Sequence, residues 1–199
     1  MKKYFIAIFF VFIVLSASRS QAATVNLSTD VQSNLNMSLS SATVNFGSLI
    51  PGTPVRGSGG IDIDVTTSAA DGYNLSINDA VTGSGSALLH TDTTTRIPDF
   101  GQGIALPGFW SNGVSTGLGF TAYYAATSKE SKWGSGTTYN DAANKYAGIP
   151  QNSTIFHTSS GYKASSDRTS LAFILDVPAD QKTGSYNGDI TISATAVIP

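Results

Sequence analysis

The sequence predicts an all-β chain folded as a two-layer antiparallel β-sandwich, and three observations carry that reading. From Tyr186 to Ile198 almost every second residue is apolar or small (Tyr186, Gly188, Ile190, Ile192, Ala194, Ala196, Ile198), and the residues between are polar except Val197. A period of two held this long segregates residues onto the faces of a strand and not onto a helix. Similar short runs recur along the chain between Gly, Pro and Asn turn signals, with no alternation of strand and helix that would build a parallel sheet. Ser, Thr, Gly and Asn are abundant, while Glu130 is the only glutamate, a composition poor for helices.

The N-terminus reads as an export signal. Lys2 and Lys3 precede the apolar run Phe5 to Leu15, and Ser20-Gln21-Ala22 supplies small residues for cleavage, so residues 1–22 are expected to leave and residues 23–199 to form a single domain. Eleven apolar residues are too few to cross a bilayer, and no second apolar span follows, so no membrane span is expected after cleavage. Loss of Lys2, Lys3 and Arg19 leaves eight basic residues against thirteen acidic ones, a mature charge of −5. A mildly acidic chain without a basic cluster argues against nucleic acid as a partner. Cysteine is absent, which excludes disulfides, thiolate metal sites and cysteine nucleophiles, so the domain must hold by packing alone.

In chain order, Val25 and Leu27 suggest a short edge segment, and Val31, Leu35, Met37 and Leu39 lie on the first strand. Val44 and Phe46 mark a short one before the turn Leu49 to Pro54. Ile61, Ile63 and Val65 alternate with Asp62, Asp64 and Thr66, then Ser68 to Gly72 turns into Tyr73, Leu75 and Ile77; these two runs are expected to pair as a hairpin. The first insertion, Asp79 to Thr116, loses the pattern apart from Ala87-Leu88-Leu89. Leu118, Phe120, Ala122 and Tyr124 restore it. The second insertion, Ser128 to Asn152, holds the one helix candidate, Asp141 to Tyr146, capped by Asn140 and ended by Gly148 and Pro150. Thr154 to His157 is a short strand. Leu171, Phe173, Leu175 and Val177 then lead through Pro178 to Gly184 into the last strand, and these two long strands are expected to close the domain as a hairpin. About eight strands in this rhythm suit an immunoglobulin-like or jelly-roll-like sandwich.

Residues for chemistry are few. His90 and His157 are the only histidines and lack metal-ligand spacing, no GxSxG context surrounds a serine, and Glu130 has no second glutamate to pair with. No catalytic residue, cofactor or metal is therefore expected, and the chain is read as non-enzymatic, with a hydrolase of unfamiliar site as the remote alternative. Asp62, Asp64, Asp71 and Asp79 crowd one region and offer oxygen to calcium, but Asp62 and Asp64 alternate with core residues as a wetted strand face does. The insertions carry Phe100, Phe109, Trp110, Trp133, Tyr139 and Tyr146 among Gly, Ser and Asn. Of these, Phe109, Trp110, Trp133, Tyr139 and Tyr146 are the expected ligand or partner contacts, by stacking on sugar rings or anchoring a protein; the opposing reading is that they fold back over an open part of the sandwich.

Asp71-Gly72-Tyr73-Asn74-Leu75-Ser76-Ile77 after Val65-Thr66-Thr67, together with Val177 to Gly188 and the closing Ile-Thr-Ile-Ser-Ala-Thr-Ala run, resembles secreted bacterial surface proteins with an immunoglobulin-like sandwich. More distantly the chain is similar to WxL-type surface domains and to spore-coat or fimbrial subunits. It departs from both, because neither Trp110 nor Trp133 is followed two residues later by leucine and the fimbrial cysteine pair is missing. The resemblance implies a secreted cell-surface protein with a structural or adhesive role, whose partners are other surface proteins, copies of itself or glycans. The alternative is a secreted carbohydrate-binding module. The leader Ala23 to Asp30 suggests assembly by strand addition, within its own sandwich or on a neighbour.

Overall fold

Tyr73, Leu75 and Ile77 are fully buried and face Ile61, Ile63 and Val65 across one apolar core, the arrangement that period-two runs produce when two sheets pack face to face. The computed structural model describes residues 28–29, 31–80 and 88–198. The expected signal peptide and the Val25 and Leu27 segment lie outside them. The chain is all-β: the described residues form thirteen strands, of which several are two residues long, and a single 3₁₀ turn at Ser131–Trp133.

The larger sheet is built from β1 (Leu35–Leu39), β2 (Val55–Arg56), β3 (Ile61–Thr67), β7 (Gly108–Phe109), β8 (Gly117–Ala125), β9 (Lys145–Gly148) and β11 (Lys163–Asp176). Its order is β1-β3-β11-β8-β9-β7, with β2 also on β11. The facing sheet has three strands, β10 (Thr154–Ser159), β4 (Tyr73–Asp79) and β13 (Ile190–Ala196), with β4 central. A small third sheet joins β12 (Tyr186–Asn187), β5 (Leu88–His90) and β6 (Arg96–Ile97). Residues from Gln32 onward cluster as one unit.

Both expected hairpins are corrected. β3 and β4 do not pair: β3 lies between β1 and β11, and β4 between β10 and β13. The two runs hide one face each in the same core, so they oppose one another across it, a pattern that alternation alone cannot tell from side-by-side pairing. The link Ser68 to Gly72 is a corner. Gly72 has φ +88°, and a Cβ there would collide with the Ser159 carbonyl, so only glycine fits. The terminal strands are separated in the same way, β11 in the centre of the large sheet and β13 at the edge of the small one. The loop between them crosses the sandwich and is held by Lys182, whose ammonium meets Asp92 at 2.7 Å, and by His90, whose Nε2 lies 3.2 Å from the Thr183 carbonyl.

The helix expected at Asp141 to Tyr146 is a turn followed by β9. Asp141 Oδ1 accepts from the Ala143 amide, a local bond that competes with helix formation, and Lys145–Gly148 then pairs with β7 and β8. The first strand begins at Leu35, not Val31, and Val44 and Phe46 pack against the core without joining a ladder.

One buried carboxylate ties the layers together. Asp167 on β11 accepts hydrogen bonds from the Tyr73 hydroxyl of β4 at 3.1 Å, from the Ser159 hydroxyl of β10 and from Thr127 Oγ1 at 2.9 Å, with Lys163 Nζ at 3.6 Å. Burial pushes its pKa up, but the three hydroxyls and the lysine outweigh burial and hold the carboxyl below its ordinary value.

Candidate functional site

In an all-β chain the sheet edges are candidate contact surfaces, because an unpaired strand presents free N–H and C=O groups. Among the described residues, β1 and β13 each pair on one side only, with β3 and β4 respectively, and approach each other at the same side of the sandwich without sharing a ladder. Their inward side chains, Leu35 and Met37 on β1 and Ile190, Ile192 and Ala194 on β13, pack on the core yet stay half-buried, whereas every inward residue of the central β3 and β4 is buried. Neither edge strand contains a charge, a proline or a bulge, the usual guards of an exposed edge.

The opposite edge of the small sheet is guarded. β10 carries a bulge between Ile155 and His157, and the loop ahead of it covers its backbone. Glu130 Oε1 accepts the Thr158 amide at 3.1 Å, and the Trp133 indole donates to the Phe156 carbonyl at 3.2 Å. Glu130 Oε2 also accepts from the Trp133 indole at 3.2 Å, and His157 Nδ1 lies 3.4 Å from Oε1. Burial raises the Glu130 pKa, but the His157 contact, Lys132 and the Thr158 amide together hold it below the ordinary value. The sequence offers Glu130 no second glutamate and reads His157 only as a polar residue at the end of a short strand. Both belong to one node, which brings together residues 27 apart in sequence. It has the carboxylate and imidazole of a hydrolytic triad, and among the described residues no hydroxyl is hydrogen-bonded to Nε2.

The five aromatic contact candidates divide. Trp133 and Tyr146 are core residues, 0% and 1% exposed, so their expected role as ligand contacts is corrected: neither reaches solvent. Trp133 packs against Phe120 with ring centres 5.2 Å apart and planes tilted by 53°. Trp110 is half-buried, 4.9 Å from the Phe100 ring and 6.1 Å from Tyr146, and lies over Gly119 and Ile174 on the outer face of the large sheet. This lid explains why β11 is buried on both faces from Leu171 to Asp176. Phe109 and Tyr139 remain exposed, Phe109 with the Lys145 ammonium 5.1 Å above its ring.

The four aspartates weighed for calcium do not converge. Asp62 and Asp64 lie on the outer face of β3, where Arg168 bridges them at 3.2 and 2.8 Å, Asp79 is buried at the end of β4, and Asp71 is exposed at the corner. The Arg168 and Ser166 hydrogen bonds hold the Asp64 carboxyl below its ordinary value. In comparisons with known proteins, the chain matches no family model and no curated protein.

Proposed function

We propose that this chain is an exported cell-surface protein with a structural or adhesive role, and that its copies, or other surface proteins, join it along the open side between β1 and β13. The observation that carries the proposal is the contrast between edges: β10 is bulged and covered by Glu130 and Trp133, while β1 and β13 are uncharged, unbulged and half-covered. An extended segment laid along either strand would satisfy its outward backbone groups and cover Leu35, Met37, Ile190 and Ile192. Each half-exposed side chain so covered contributes on the order of 1 kcal/mol, about half of full burial. The export-signal pattern read in residues 1–22 and an acidic chain free of cysteine support this reading.

Electron microscopy of the purified mature protein and of producing cells tests it. Filaments or ordered surface arrays are expected. A protein that stays monomeric at high concentration, both on cells and in solution, would overturn the proposal.

A further inference from the structure

We infer a second recognition site, for a neutral saccharide, on the outer face of the large sheet near the start of β11. A shallow groove of about 150 Å³ lies between the β1–β3 ladder and the β10–β11 turn, lined by Asn34, Asn36, Thr66, Ser68, Tyr162 and Lys163. Tyr162 follows Gly161, whose φ of +78° makes the turn, and its side chain stands 63% exposed. An aromatic ring held out by a tight turn loses apolar contact unless something stacks on it, and the C–H face of a pyranose is a matching surface.

Two exposed amides stand beside the ring. The Asn34 backbone is tied down, its amide donating to Ser68 Oγ at 2.6 Å and its carbonyl accepting from Thr67 Oγ1 at 2.9 Å. Among the described residues, no hydrogen bond engages the side-chain amides of Asn34 and Asn36, so each offers a donor and an acceptor to neighbouring hydroxyls. Thr66 stands directly opposite Asn36 in the β1–β3 register. The charges in reach exclude an ionic ligand. The Lys163 ammonium is already committed to Asp167 at 3.6 Å and Thr127 at 3.1 Å, and no carboxylate lines the groove. What remains is an aromatic face, amides and hydroxyls in a space far smaller than a drug-sized pocket, which fits one sugar ring and sets an affinity of millimolar order.

The second groove, of about 460 Å³ beside Phe100 and Ile149, is mostly apolar, and one ring in it, Phe100, is stacked on Trp110, so it lacks this combination.

The test is a titration of monomeric mature protein, followed by side-chain amide and aromatic NMR signals, with maltotriose, cellotriose, mannotriose and chitotriose and with a heparin-derived tetrasaccharide as the anionic comparator. At least one neutral trisaccharide is expected to shift the Asn34, Asn36 and Tyr162 signals together. Tyr162→Ala and Asn36→Ala should each weaken that binding about tenfold, and Phe109→Ala, an exposed aromatic elsewhere, should leave it unchanged. The inference is overturned if no neutral sugar moves these signals, if only the heparin fragment does, or if Tyr162→Ala binds as the wild type does. Because the readout is binding by monomer, it stands or falls independently of assembly.

Discussion

Removing the Asp167 carboxylate should destabilise the domain far more than removing Asp64, although both lie in the β3–β11 region and both meet a cation. In Asp167→Ala the buried Ser159 hydroxyl loses its carboxylate acceptor, and the Tyr73 hydroxyl loses its 3.1 Å acceptor while keeping a 3.4 Å contact to the residue 167 carbonyl. Lys163 loses its counter-ion while still largely covered. A stranded buried donor costs about 1–3 kcal/mol, and breaking one partner of a buried ion pair about 3–5 kcal/mol, so the expected loss is about 4 kcal/mol. Asp64→Ala breaks an outer-face pair with half-exposed Arg168, worth about 0.2–1 kcal/mol. With a urea slope of about 2 kcal/mol/M, the midpoint should fall by about 2 M for the first variant and by less than about 0.5 M for the second. Equal midpoints, or a larger shift for Asp64→Ala, would refute the reading of Asp167 as the clamp between layers.

Three further outcomes follow from the same packing. Ile192→Asp places a charge on the inward face of β13 and should lower the melting temperature by the equivalent of about 1–3 kcal/mol, while Thr191→Asp, exposed beside it, should change it by less than about 0.5 kcal/mol in thermal unfolding. Gly72→Ala forces a side chain into the Ser159 carbonyl at positive φ and should cost about 2 kcal/mol or more in denaturant unfolding; a neutral result would mean the β3–β4 corner is built otherwise. Asp167 and Glu130 titrate below their ordinary values of 3.8 and 4.5 in the folded chain. Their contribution is therefore fully present above about pH 5 and is lost as pH falls through the lower folded values, so acid unfolding of the wild type should begin below about pH 4 and flatten in the double variant Asp167→Asn, Glu130→Gln.

Strand identity was legible wherever one face is buried and the other wet, as in Ile61 to Thr67, Tyr73 to Asp79 and Ile190 to Ala196, because the period of two is imposed by the pleat itself. Pairing was not. β3 and β4, like β11 and β13, carry the same alternation whether they sit side by side or face each other, and the difference rests on long-range geometry, such as the collision that Gly72 avoids with Ser159. Alternation alone assigns Ala172 and Ile174 to the outer face of β11, yet both are buried there, under the cover that the Trp110 lid supplies. The site was less legible than the fold. Trp133 stands among Gly, Ser and Asn in an insertion, yet it is buried in the core, and the exposed ring beside unengaged amides is Tyr162, in a segment where the sequence shows no pattern that marks a site. The Glu130 and His157 node, and the half-buried faces of β1 and β13, depend on contacts between distant segments that no local pattern records.

Hydrogen exchange, compared between dilute monomer and concentrated or filamentous protein, tests the open side most directly. Backbone amides of Leu35–Leu39 and Ile190–Ala196 that face away from β3 and β4 are predicted to gain protection on assembly, while those of β10, already covered by Glu130 and Trp133, are predicted to keep the protection they have. Assembly that protects β10 or the Phe109 edge and leaves β1 and β13 exchanging as in the monomer would contradict the account.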